Sequence, residues 1–416
     1  MDKPLFRIID YKNPIVIQTL SLYSSTIIAL ILGVFTGIIN TRMLGPEGYG
    51  ILAFFGAITG FTVLFFRFGS FSAAGVLLAQ CKDDIKSREL TGASIVLAFI
   101  IGIFYSCFIF FISFYVDTWF HVEIGWILRW ASFMLVALPM TLLIPQIGRG
   151  MNAIHRLSIF NILQPLLYLG GAFLLLFSVK IEPVHLILLN MITTVIAIFV
   201  VIYTFHPLFS HLRETIGIIH QKTKEYGFQL YIGQIADQST TQLNGLIIPL
   251  FINTTQLGFF SLAMMITTPI AGLSQSLSIS LFRNFAQLEE IPKKVIYYNA
   301  AWLIMCAILL NVFGGFIIGL LLSKAFLPVV PLLLPMSIAV FFQGMYQPYN
   351  LFLGAKLCGK WLRNISIIEC CINVAATLLL IPLFGTFGAA LAILCGYSSF
   401  YFGSLYYYKK YRSQLQ

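Results

Sequence analysis

Apolar residues run along this chain in twelve stretches, at about 15–39, 50–79, 91–114, 126–147, 158–178, 185–205, 228–252, 258–282, 299–322, 329–350, 364–381 and 388–407. Each is long enough to cross a bilayer as a helix, which takes roughly 20 residues. None alternates polar with apolar positions as barrel strands do. Helices then remain as the way to satisfy backbone groups in lipid. The expected fold is an all-α polytopic membrane protein with 12 transmembrane helices.

Charge placement orients the stretches. Twenty of the 25 Lys and Arg residues fall before the first stretch, after the last, or in every second gap: Lys82, Lys86 and Arg88, for example, then Arg149 and Arg156, then Arg213, Lys222 and Lys224. Arg42, Lys180 and Lys324 occupy the opposite gaps, and Arg67 and Arg129 lie inside stretches. Because Lys/Arg bias sets topology, both termini are expected to be cytoplasmic. The alternation never breaks, which supports the count of twelve. Composition agrees, with 59% hydrophobic and 10% charged residues. The net charge of +10 is then mostly topological and calls for no nucleic-acid partner. The polar, mixed segment 1–14 and the long first apolar run do not fit a cleavable signal. The seven cysteines show no CxxC or Cys/His spacing, so neither a disulfide framework nor a metal site is expected.

The longest non-membrane segment, 206–227, carries charges and an apolar helical pattern at Leu212, Ile216 and Ile219. It reads as an amphipathic cytoplasmic linker on the membrane surface. It divides the chain into an N-terminal six-helix bundle (1–205) and a C-terminal six-helix bundle (228–416). The two echo each other: Gly48-Tyr49-Gly50-Ile51-Leu52-Ala53 follows the first stretch, and Gly258-Phe259-Phe260-Ser261-Leu262-Ala263 follows the seventh. The expectation is a pseudo-symmetric duplication, with a substrate path between the bundles.

Two outer turns carry a family resemblance: Leu44-Gly45-Pro46-Glu47-Gly48-Tyr49-Gly50, and Leu380-Ile381-Pro382-Leu383-Phe384-Gly385-Thr386-Phe387-Gly388-Ala389-Ala390. With the twelve-span plan they resemble the Wzx-type O-antigen flippases, in the polysaccharide branch of the MOP (MATE-like) superfamily. The resemblance implies a MATE-like fold and a multi-pass protein of the bacterial inner membrane. Its partners would be a polyprenyl-pyrophosphate-linked oligosaccharide, the membrane lipid and the polysaccharide polymerase machinery. Physically, Gly and Pro in these turns reverse the backbone between packed helices, with substrate contact by Glu47 the alternative.

Polar residues inside the stretches are the candidate site, since a charge at a helix centre costs about 2.5–3.5 kcal/mol on insertion scales. Arg67 either pairs with a carboxylate or forms an anion site in a water-filled cavity, where Arg suits bidentate phosphate contact. In the seventh stretch Gln234, Asp237, Gln238 and Thr241 share one helical face, which either packs on polar partners or lines the cavity. Gln275 in the eighth stretch and Gln343 and Gln347 in the tenth are further candidates. Asp237 and Glu369 are the carboxylates for coupling to H+ or Na+; Glu369 alternatively pairs with Arg363. No other cofactor is expected.

The expected function is transfer of undecaprenyl-pyrophosphate-linked repeat units across the membrane by alternating access. The alternative is a cation-coupled multidrug exporter of the MATE type, which would prefer acidic cavities and sits poorly with Arg67. An enzyme is not expected: the outer gaps span about a dozen residues or fewer, and no paired carboxylates or nucleophile set stands at a membrane face.

Overall fold

The computed structural model describes residues 14–177, 181–281, 285, 287–356 and 358–414, with the side chains of some helical positions, including 14–23, outside the description. Lys3, Arg7, Lys12, Lys180 and Arg283 fall outside it. The α-helices are α1 (Pro14–Phe65), α2 (Ser70–Gln80), α3 (Asp84–Phe120), α4 (Gly125–Leu135), α5 (Leu138–Gly150), α6 (Ile154–Leu175) and α7 (Pro183–Phe205), then α8 (Leu212–Lys222), α9 (Phe228–Phe251), α10 (Thr254–Ser280), α11 (Lys293–Leu321), α12 (Val330–Ala355) and α13 (Gly359–Ser413). Among the described residues eight helices are long and apolar enough to cross a membrane, or nine if α4 and α5, bent by 41°, are one span. Large apolar side chains cover the outer faces, with Phe199 and Phe316 each 70% exposed. Apolar exposure on this scale needs lipid around it.

Both predicted outer turns are kinks inside very long helices. Gly45 (φ 66°) divides the 52 residues of α1 and Gly385 (φ 60°) the 55 residues of α13, so each helix is two arms folded at a glycine. Left-handed backbone costs other residues about 1–2 kcal/mol, which is why glycine stands at both.

The stretch expected to be continuous over 50–79 is broken. The second arm of α1 ends at Phe65, and Phe68 (φ 47°) and Gly69 (φ 74°) both take left-handed backbone before α2 begins. Gly69 packs against Gly227, just ahead of α9, so closely that a Cβ on either would strike the other's carbonyl. Such a break is tolerated at membrane depth only where protein or a cavity surrounds it.

The chain's two echoing motifs meet each other. A Cβ on Gly258 would lie 3.0 Å from Gly50 N and 2.9 Å from Pro46 O, and one on Gly50 would collide with the Thr254 carbonyl. The aromatic residues beside them, Tyr49 and Phe259, pack edge-on against the same buried Phe326 ring, with centroids 6.3 and 6.2 Å away. The two copies thus approach a shared centre, where α1 and α10 cross. Close by, Arg42 donates from Nε to Leu321 O (2.6 Å) and from Nη2 to Leu320 O (2.9 Å). It caps the carbonyl end of α11, where a cation is favoured.

Segment 206–227 forms α8 followed by a single π-turn (Thr223–Gly227). Part of its apolar face turns inward, while Ile218 stays exposed. Thr215 and Ile219 are buried, and Ile219 joins a core with Phe71, Leu78 and Leu90 from α2 and α3, against which Leu212 and Ile216 also pack. The same amphipathic stripe serves either partner, and the core wins because the entry to α8 is tied to α3. Arg88 Nε donates to His206 O (2.7 Å), Leu208 N to Arg88 O (3.0 Å) and Ser210 Oγ to Glu89 (2.6 Å), while His211 Nδ1 lies 3.0 Å from Glu89.

Two predictions follow from this packing. Gly50→Val or Gly258→Val drives a branched side chain into facing backbone and should cost about 1–3 kcal/mol or more. Gly319→Ala, where a Cβ meets nothing within 4 Å, should be neutral. Thermal unfolding in detergent tests the contrast, and equal melting of all three would remove the glycine crossing as a stability element. The hydrogen bond that His211 donates to the Glu89 carboxylate raises the His211 pKa, so the charged tie's contribution is fully present below about pH 6.5 and is lost as pH rises through the raised value. Amide exchange across 206–211 should therefore quicken with pH beyond its intrinsic dependence, and Glu89→Gln should abolish that excess.

Candidate functional site

A cavity of about 720 Å³ lies among both arms of α1, α5, α6, α7 and α9. A second chamber of about 540 Å³, between α1, α9 and α10, shares Gly33, Thr36, Asn40, Leu52, Gly56 and Gln242 with it. The glycines on α1 leave room here: a Cβ on Gly33 or Gly56 would meet nothing within 4 Å. The polar lining is amide and hydroxyl. Tyr168 OH donates to Asn40 Oδ1 (2.9 Å) and Gln164 Nε2 to Asn190 Oδ1 (2.9 Å), with Thr194 Oγ1 3.5 Å from the same oxygen. Gln242 packs against Gly60. Thr36 Oγ1, on the wall common to both chambers, is buried without a hydrogen-bond partner among the described residues. Among the described lining residues there is no carboxylate. Such a surface suits hydroxyl-rich neutral groups, which exchange hydrogen bonds with amides at little desolvation cost.

Arg67 sits at one end of this cavity. Its Nη1 donates to Gln238 Oε1 (3.1 Å), and Gln238 itself lines the cavity. A small recess joins Arg67 to Gln146, Ser72 and Gln234, whose Nε2 donates to Ser72 Oγ at 3.4 Å. The helix break places Arg67 here, because it releases residues 66–69 from the α1 helix. The structure therefore unites Arg67, Gln234 and Gln238. Asp237 and Thr241 lie on the same helix, α9, but their side chains are outside the described residues.

The remaining candidates stand elsewhere. Gln275 is exposed on α10 and lines neither chamber. Gln347 is buried at 8% exposure, and Gln343 Nε2 donates to Tyr397 OH (3.3 Å), between α12 and α13. The helix face was legible for these residues, but packing turned it into a seam rather than the cavity. Glu369 is buried in a polar line at i, i+4, i+8 with Asn373 and Thr377. Thr377 Oγ1 donates to Asn244 Oδ1 on α9 (3.1 Å). Gly396 on the second arm of α13 lets this line approach, since a Cβ there would lie 2.7 Å from Asn373 Nδ2 and 3.2 Å from Glu369 Oε1. This places Glu369 inside the protein.

Sequence reasoning missed Asn40, Asn161, Gln164, Tyr168, Asn190, Thr194 and Gln242. The signal was present: Asn161, Gln164 and Tyr168 recur at i, i+3, i+7, and Asn190 and Thr194 at i, i+4, the test applied to the seventh stretch.

Residues 15–288 match the model of a family described as polysaccharide biosynthesis protein. No curated protein matches the chain. An inward-facing multidrug resistance MATE family transporter of the MOP superfamily superposes with TM-score 0.72 at 15% identity, over 95% of this chain and 98% of that one. The lipid II flippase MurJ in an inward closed conformation gives 0.70 at 15% identity, over 95% and 89%. An outward-facing MATE family transporter of the MOP superfamily gives 0.61 at 15% identity, over 96% of each chain. The fold is thus that of MOP-superfamily transporters.

Gly56 offers a test of the cavity itself. Gly56→Trp fills space that no side chain occupies, so the protein should fold and melt as before. A single cysteine at Asn190, in a background without the native thiols, should react with a small aqueous maleimide. Adding Gly56→Trp should block that reaction. Unchanged labelling would mean that the two positions do not share one cavity.

Proposed function

The chain belongs to the polysaccharide biosynthesis protein family, and on that premise we propose that it is a flippase for lipid-linked oligosaccharides. In this reading it carries undecaprenyl-pyrophosphate-linked repeat units of O-antigen or another surface polysaccharide from the cytoplasmic to the periplasmic leaflet of a bacterial inner membrane. Twelve spans, with both termini cytoplasmic, form two six-helix units over 1–205 and 228–416 that rock about the cavity. The observation that carries the proposal is the cavity's chemistry: amides and hydroxyls without a described carboxylate, and Arg67 at one end. The amides meet sugar hydroxyls, and the guanidinium meets the diphosphate, which it can hold bidentately. The closer likeness to the inward-facing arrangement (0.72) than to the outward-facing one (0.61) supports a cavity serving the cytoplasmic leaflet first.

No bond is made or broken in this cycle, so the protein need only bind the head, shield it from the bilayer core and release it. An ion gradient gives the direction. Glu369, buried beside Asn373 and Thr377, is the described carboxylate we assign to uptake of H+ or Na+, because it stands in a polar seam inside the protein that bonds to α9, a helix lining the cavity. Asp237 is the second candidate. The same lining runs against a MATE-type exporter of cationic drugs, for which carboxylates would be the natural partners.

Deleting the gene in its native strain should leave lipid-linked repeat units on the cytoplasmic leaflet and remove the surface polymer. Repeat units reaching the periplasmic leaflet unpolymerised would overturn the proposal. Arg67→Ala should abolish most export at normal protein level, and Arg67→Lys should restore part of it as a point charge. Full export by Arg67→Ala would exclude the anion role.

A further inference from the structure

Outside the central cavity lies a recess of about 500 Å³, bounded by the α1–α2 break, α3, α8 and the start of α9. Its wall is apolar: Leu97 and Ile101 from α3, Ile216 from α8, and Phe68 and Phe228. Lys224 adds a cation, and His220, Thr223 and Ser70 add further polar groups. Ile101 stands ten residues into the apolar run that begins at Thr91, about 15 Å along a helix and so half the depth of the bilayer core. The recess therefore reaches from the expected cytoplasmic surface to mid-membrane.

Two backbone irregularities border this recess and touch each other. One is the left-handed pair Phe68 and Gly69, and the other is the π-turn Thr223–Gly227. Gly69 and Gly227 hold them together, each with no room for a Cβ. π-turns and positive φ at a bulky residue are costly and concentrate at functional sites. Phe68 and Phe228 are each about half exposed, and the Tyr231 ring lies 6.3 and 6.0 Å from theirs. Arg67, one residue before Phe68, instead turns to Gln238 on the central cavity. One break in the helix thus offers a cation to the cavity and an apolar wall to the recess.

We propose that this recess holds the leading isoprene units of the substrate's polyprenyl chain, with Lys224 meeting the diphosphate at its mouth before Arg67 takes it over on the cavity side. The proposal rests on the flippase reading and adds where the chain lies while the head enters the cavity. A polyprenyl chain is favoured over a bilayer phospholipid because the recess adjoins Arg67, the cation proposed for the head of the same molecule.

The test uses the full-length protein in phosphatidylcholine nanodiscs, with farnesyl diphosphate, inorganic diphosphate and phosphatidylglycerol as probes. Wild type should bind farnesyl diphosphate, and Leu97→Trp, which fills the recess, should weaken it by about tenfold or more while inorganic diphosphate binds as before. Lys224→Glu, at an exposed position that does not threaten folding, should act in the same direction. Unchanged farnesyl diphosphate binding in both variants would overturn the proposal. So would its displacement by equal phosphatidylglycerol, which would make the recess a bilayer-lipid site. If wild type ignores inorganic diphosphate but binds farnesyl diphosphate in a Leu97-dependent way, the recess stands and the anion role of Arg67 falls.

Discussion

A bilayer offers no hydrogen bonds, and most features of this protein follow from that one condition. Every backbone amide at membrane depth must be satisfied by the chain itself. The helices are long for this reason, and where one breaks between α1 and α2 the backbone packs against protein. The break at residues 66–69 is the clearest case. It leaves the α1 helix where Gly69 and Gly227 press together, and it delivers Arg67 to Gln238 instead of to lipid. Had the helix continued, residue 67 would have followed the direction set by its neighbours on α1.

The same condition sorts polar side chains into two kinds of place. One is the amide-lined cavity around α1, α6, α7 and α9. The other is the buried seam of Glu369, Asn373, Thr377 and Asn244, in the later part of the chain. α9 contributes to both, with Gln238 and Gln242 on the cavity and Asn244 bonded to Thr377. In the proposed cycle, an ion or proton taken up at the seam would bear on α9, and through it on the cavity wall and Arg67. The glycine crossing of α1 with α10 brings the two helices tightly together, because backbone meets backbone there with no side chain between.

Which parts of this were legible in the residues alone follows from the range of each interaction. Hydropathy, the Lys/Arg alternation and the i, i+3, i+4 faces are local, and from them came the helical membrane fold, Arg67 as a cation within an apolar stretch and the polar face of α9. The glycines of the two outer turns were equally readable, because a left-handed turn needs glycine whatever surrounds it. The echo of Gly48–Ala53 and Gly258–Ala263 also stood in the sequence. That the two copies touch did not, since repetition says nothing about distance.

What tertiary structure alone decided was the partner of each polar face. Gln275, Gln343 and Gln347 carry the same signal as Gln238, yet only Gln238 reaches the cavity, because α10 and α12 turn those faces elsewhere. The apolar stripe of α8 would suit lipid or protein equally, and the ties from Arg88 and Glu89 to residues 206–211 turn it to the core. The break at Phe68 was hidden for the same reason: an apolar run looks continuous, and only contact with Gly227, more than 150 residues away, makes the interruption stable. Sequence determines which residues cannot face lipid; which of them face each other depends on packing between distant helices.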